Sequence, residues 1–216
     1  MVKGQSGRLR SLQVGKPAVY QWGGKEFATG MGKLPAAGKL LLTFEGYAED
    51  GQADRIHHGG RDKAVCVYAY EHYAYWEKEL GQSLVYAAFG ENVTMEGLTE
   101  QDVCIGDVYR MGEALVQVSQ PRQPCYKLGH KYNRTDMPLL VQTTGYTGYY
   151  FRVLEEGCTA PGDAVLLVER SPAGITVAEA NRIKYTAKDD QAEAARLLAV
   201  PGLSDSWRES LAKRLS

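Results

Sequence analysis

Short runs rich in β-branched and aromatic residues, each closed by a glycine turn, recur from residue 8 to residue 169 and then stop. This repetition constrains the fold more than any other feature, because such runs pair as strands while glycine supplies the reversals. The candidate strands are 8–14, 39–44, 64–68, 107–110, 114–119, 149–154 and 164–169. Two of them flank Met111-Gly-Glu113, a spacing that suits a hairpin with glycine in its turn. The chain holds 24 glycines against 8 prolines, a balance that favours turns over disorder. Seven or more strands with few long helices predict a closed or nearly closed barrel, which removes exposed edges.

Helical signals interrupt and then follow this pattern. In 70–80, Tyr73, Trp76 and Leu80 share one face, and Gly81 supplies the stop. A shorter helix is expected over 137–142, with Asp136 as cap and Pro138 in the first turn. After Pro172 the character changes. Thr176-Val-Ala-Glu179 reads as a capping box, 190–199 as a second helix, and Ser204 as the cap of a third that carries Trp207, Leu211 and Leu215. Short amphipathic helices are marginal alone in water, so their apolar faces must pack. The reading is mainly β with added helices: a barrel domain over 1–171 and a small three-helix subdomain over 172–216.

With 25 Lys+Arg against 26 Asp+Glu the net charge is −1, which gives no basic footprint for nucleic acid. No apolar run approaches the roughly 20 residues of a membrane span. The first fifteen residues are polar and basic, so no signal peptide is expected, and a cytoplasmic location with reduced thiols follows. The cysteines at 66, 104, 125 and 158 are too far apart for a zinc knuckle or an iron–sulfur cluster. Three of the four are expected to be ordinary buried side chains.

The exception is Cys125, in Gln120-Pro-Arg-Gln-Pro-Cys-Tyr-Lys-Leu128. Two prolines stiffen this post-strand loop, and Arg122 and Lys127 bring positive charge that favours a thiolate. A thiolate binds soft metals or accepts sulfur; the alternative is a loop cysteine tucked under the barrel rim, and the residues alone leave both open. Asp54-Arg-Ile-His-His-Gly-Gly-Arg-Asp62 offers His58 and a glycine pair able to approach an anion, although a plain turn reads the same way. Phe89-Gly-Glu-Asn92 offers an amide with donor and acceptor, suited to a heterocycle edge or simply to a turn. Lys33 is either a point charge for a phosphate or a solvated lysine.

Taken in order, His-Gly-Gly-x-Asp at 58–62, Phe-Gly-Glu-Asn at 89–92, Gly-Asp at 106–107, Gln-Pro-Arg-x-Pro-Cys at 120–125 and Thr-Gly-Tyr at 147–149 resemble the MOSC domain family, named for the carboxy-terminal part of molybdenum cofactor sulfurases. The helical tail resembles the YiiM type within it. One departure is Glu49-Asp-Gly, where relatives tend to show Gly-Asp. The resemblance implies a β-barrel that binds the molybdenum–pterin cofactor (Moco), with Cys125 as metal ligand and Lys33, His58, Asn92 and Arg122 as cofactor contacts. It implies an oxidoreductase that reduces small N-hydroxylated compounds, purines included, and so detoxifies them, with His58 the candidate for proton delivery. No flavin, haem or iron–sulfur motif is visible, so electrons are expected from an external reductase, and the three-helix tail is a candidate docking surface. The alternative is a sulfur carrier that takes a persulfide on Cys125 from a pyridoxal-phosphate-dependent cysteine desulfurase. Exposed apolar surface on the tail is compatible with a dimer.

Overall fold

The computed structural model describes residues 6–51 and 59–215. Seven strands close into a barrel: β1 (Ser6–Val14), β7 (Val65–Ala69), β8 (Val93–Glu96), β9 (Val108–Met111), β10 (Ala114–Pro121), β11 (Tyr149–Glu155) and β13 (Ala164–Glu169). Their spatial order is β13-β9-β10-β11-β7-β8-β1, and β1 pairs back with β13 to complete the ring. Every barrel pairing is antiparallel except β7 with β8. A parallel pair needs a crossover, and here it carries helix α1 (Tyr73–Leu80). The expected hairpin is present: Met111 pairs with Ala114, and Gly112 takes φ +57° in the turn.

Smaller pieces decorate the ring. β4 (Leu34–Pro35) extends from β1, and β5 (Leu40–Thr43), β6 (Gly46–Tyr47) and β12 (Gly157–Thr159) form a separate three-stranded sheet. β2 (Ala18–Trp22) and β3 (Lys25–Thr29) make a separate two-stranded hairpin. Sequence reading passed over this hairpin although Gly23-Gly24, at φ +55° and +74°, is the two-residue turn signal that marks it. β8 was also passed over, because four residues directly after a turn motif show little alternation.

Helix α2 (Lys127–Lys131) follows the Cys125 loop, and α3 (Met137–Thr144) runs two residues beyond the expected end. Asp136 does not cap α3 with its side chain. Arg134 holds that carboxylate at 2.7 and 3.0 Å instead, so a charged partner outcompetes the helix amides. The expected 70–80 helix begins as a 3-10 turn over Tyr70–His72.

The tail folds as α4 (Val177–Tyr185), α5 (Gln191–Leu198) and α6 (Asp205–Leu215). Thr176 accepts from the Glu179 amide, Asp190 from that of Glu193 and Ser204 from that of Trp207, so all three N-termini are capped by side chains. Val177, Ala180, Ile183, Ala194, Leu197, Trp207 and Leu211 are buried in the same apolar cluster as the barrel residues Leu9, Val67, Val116 and Phe151. Barrel and tail therefore share one core. Among the described residues no helix is long and apolar enough to cross a membrane.

Candidate functional site

A second buried cluster lies outside the ring. Phe89 sits at its centre, stacked on Tyr68 at 4.1 Å and flanked by Trp76 at 5.5 Å and Tyr73 at 6.3 Å. Trp76 Nε1 donates to the Tyr68 hydroxyl, which donates to Tyr146 O at 2.9 Å. This rigid aromatic block anchors the loop that ends in Asn92. The carboxylate of Glu91, fully buried, draws the loop together by accepting from the amides of Ala87 (3.1 Å) and Phe89 (3.0 Å), the Thr94 hydroxyl (3.2 Å) and the Tyr73 hydroxyl. Ala87 takes φ +66°, a left-handed conformation costing about 1–2 kcal/mol in a non-glycine residue, which those bonds offset.

Against this loop lies an open cleft of about 610 Å³, counted out to its mouth. Lys33, Asn92, Arg122 and Cys125 all line it, together with Asp50, Lys63, Cys66, Lys127 and Tyr150. His58 falls outside the described residues. Four of the five residues singled out from sequence thus converge, although they span 92 positions. The barrel register explains much of it. Gln120, Tyr150 and Cys66 stand side by side on β10, β11 and β7, and the chain leaving β10 reaches Arg122 and then Cys125.

Arg122 is 5% exposed. Its Nη2 donates to Phe89 O at 2.6 Å, while Nη1 is buried without a partner among the described residues. Burial opposes its charge, yet Cys66, Tyr150 and Glu91 hold its proton more tightly than usual. Cys66 is 7% exposed; burial pushes its thiol up, with Arg122 pulling the other way. Burial likewise pushes the Tyr150 phenol up, so both groups keep their protons at neutral pH. Cys125 is half-buried. Lys127 reaches Ala28 O at 2.9 Å, tying the β2–β3 hairpin to the Cys125 segment.

Lys33 and Asn92 are both engaged by Asp50. Lys33 forms an ion pair with the Asp50 carboxylate, which also accepts from the Gly15 amide (3.0 Å) and Asn92 Nδ2 (2.8 Å). Asn92 Oδ1 accepts from the Cys66 amide at 3.1 Å. The asparagine amide thus locks strand and carboxylate in place, and Lys33 is neutralised at rest. Sequence reading missed Asp50, Cys66 and Glu91. Glu91 had a signal, as the acid inside the Phe-Gly-Glu-Asn motif. Asp50 and Cys66 are joined to the cleft only by tertiary pairing.

Comparison with known proteins agrees with this architecture. Residues 54–166 match the MOSC domain, and residues 175–216 match the YiiM-like 3-alpha helix domain. The chain is 52% identical to the uncharacterized protein YflK of Bacillus subtilis, covering 94% of this chain and 92% of that one. It is 39% identical to protein YiiM of Escherichia coli, covering 97% and 89%. A Gibberella moniliformis protein named a reductase is 32% identical over 76% of this chain and 29% of its own length. The crystal structure of YiiM from Geobacillus stearothermophilus superposes with a TM-score of 0.85 at 41% identity, covering 97% of this chain and all of that one. This chain belongs to the MOSC domain family and carries the family's YiiM-like three-helix domain at its carboxy-terminal end.

Proposed function

We propose that this chain is a molybdenum-cofactor-dependent reductase of small N-hydroxylated compounds, N-hydroxylated purines among them. One juxtaposition carries the reading: the Cys125 thiol opens on the same cleft as Arg122, whose buried Nη1 has no acceptor among the described residues. An unmet guanidinium donor suits a phosphate or carbonyl oxygen, and a thiol is a soft ligand of the kind molybdenum takes. The donor set fits the cofactor. Cys125 would hold the metal and Arg122 an oxygen of the pterin or its phosphate. Lys33 would add charge once Asp50 yields it, and Asn92 would keep Asp50 and β7 in register. The relative named a reductase is 32% identical over 76% of this chain.

The overall conversion takes R–NH–OH, two electrons and two protons to R–NH2 and water. When bound, the cofactor supplies the two-electron reducing power, replenished by an external electron-donating protein. The chain itself supplies the setting. Arg122 and Lys127 bring positive charge to the cleft, and Met31 and Phe89 give it an apolar wall. Cys66 and Tyr150, protonated at neutral pH, offer hydrogen bonds without adding negative charge.

A second reading keeps Cys125 as a persulfide carrier supplied by a pyridoxal-phosphate-dependent cysteine desulfurase; the observation that favours it is the second thiol, Cys66, in the same cleft. Metal analysis of protein made in cofactor-competent cells separates the two. Paired with N-hydroxypurine reduction by wild type and Cys125→Ala, it should give near-stoichiometric molybdenum and turnover in the wild type and neither in the variant. A fully active alanine variant overturns the reductase reading. Absence of molybdenum together with a persulfide on Cys125 establishes the carrier.

A further inference from the structure

We infer that Tyr126, the neighbour of Cys125, determines specificity at the cleft: its open ring stacks the planar heterocycle of an N-hydroxylated aromatic substrate. The inference rests on the reading of Cys125 as the mark of the reacting centre. Cys125 and Lys127 both line the cleft, and Tyr126 stands between them on its rim.

The first point is access. Tyr126 is 61% exposed, whereas the aromatic rings inside the cleft, Phe89 and Tyr150, are 0% and 7% exposed. Neither of those offers a face to an incoming ring. Tyr126 does, beside the thiol that the substrate must approach. Exposure alone would say little, since single exposed apolar side chains are common. Here the ring is also held.

Its backbone opens α2. Gly129 N donates to Tyr126 O and Leu128 N to Cys125 O, each at 3.0 Å, so ring and thiol are carried by one hydrogen-bonded turn. The side chain meets Phe27 edge-on at 6.2 Å, and His130, one helical turn further, at 6.0 Å. Phe27 in turn lies 4.6 Å from His130 and 6.2 Å from Trp22, which stacks on Tyr20 at 5.1 Å. The β2–β3 hairpin thus sets a row of rings behind Tyr126, and Lys127 Nζ fastens it through Ala28 O at 2.9 Å. From the end of β3, Thr29, Gly30 and Met31 run directly into the cleft wall. A ring already wedged in place loses little entropy on binding, which is what makes tyrosine effective in recognition surfaces. Its electron-rich face suits an offset stack with an electron-poor purine. Stacking also tolerates variation in the ring's substituents. An aliphatic hydroxylamine has no face to offer.

The test has two arms. The cofactor-loaded full chain is assayed with N-hydroxyadenine and with N-methylhydroxylamine, and the cofactor-free full chain is titrated with adenine while the His130 ring signals are followed by NMR. Tyr126→Ala should lower the ratio of kcat/KM for N-hydroxyadenine over N-methylhydroxylamine by about tenfold or more, chiefly through KM. Tyr126→Phe, which keeps the ring, should hold that ratio within about threefold of the wild type. Adenine should shift the His130 signals saturably in the wild type and the phenylalanine variant, and not in the alanine variant. An unchanged ratio in Tyr126→Ala, or adenine shifts that survive it, would overturn the inference. If the wild type reduces neither compound while the adenine shifts still depend on Tyr126, the reductase reading fails and the stacking site stands.

Discussion

The two buried clusters of this molecule do different work. The larger is mostly aliphatic, fills the ring and continues without a break into the three terminal helices. The smaller is aromatic, centred on Phe89, and touches the cleft through the loop that ends at Asn92. The first holds the fold; the second holds the geometry around Arg122 and Cys125. The lesson is that stability and site geometry are separable here, and variants chosen from each cluster should show it. The largest expected effect is on the tail side. Trp207 is 1% exposed on α6, and Trp207→Ala should cost about 3–5 kcal/mol in urea unfolding. Cofactor content per folded molecule should stay at the wild-type level. Equal loss of molybdenum loading and stability would break the comparison.

The reverse variant lies in the buried loop behind the cleft. Glu91→Gln keeps size and shape but turns one acceptor into a donor. Glu91 Oε2 accepts from the Phe89 amide at 3.0 Å, so the new NH2 group faces an N–H. The expected cost is about 1–3 kcal/mol, less than for Trp207→Ala. Because Phe89 O holds Arg122 at 2.6 Å, the displacement reaches the site directly. Cofactor loading should fall further in this milder variant than in the tail variant, as metal analysis of purified protein would show. Loading that tracks stability alone would return both clusters to one role.

The same division explains what could be read from the chain. The ring strands were legible because burial on one face imposes alternation, and the tail because capping residues and a 3.6-residue stripe mark helices locally. Lys33, Asn92, Arg122 and Cys125 could be named because short motifs surround them. Their surroundings could not. Asp50 meets Lys33 and Asn92 only after β6 and the chain before β4 come together, and Cys66 meets Arg122 only through the β7–β11–β10 register. The interaction of Arg122 with Cys66 is invisible in the sequence for the same reason. Asn92 is expected from its motif to meet a heterocycle edge or to sit in a plain turn, and its engagement by Asp50 and Cys66 is invisible in the sequence. Sequence spacing carries residue type and local period; charge compensation is a property of the closed barrel.

The smallest expected effect sharpens the picture of the aromatic side. Lys131, in the last turn of α2, donates to Ala87 O at 3.2 Å and Ala88 O at 2.7 Å, clamping the strained stretch that leads to Phe89. Burial pulls its ammonium down from 10.5 to about 8, with Glu91 resisting and Arg122 adding to the drop. Below pH 8 the site is charged in both folded and unfolded chains, and the folded state bears the full penalty. Between about 8 and 10.5 the unfolded chain holds more protons here than the folded one, so stability rises with pH across that window. Partial exposure reduces the gain to the order of 1 kcal/mol. In Lys131→Met this contribution is absent. The urea midpoint of the wild type should therefore gain on that of the variant as pH goes from about 7 to about 10. Parallel pH profiles would show that the clamp carries no buried charge, and the loop would then be held by Glu91 and the aromatic cluster alone.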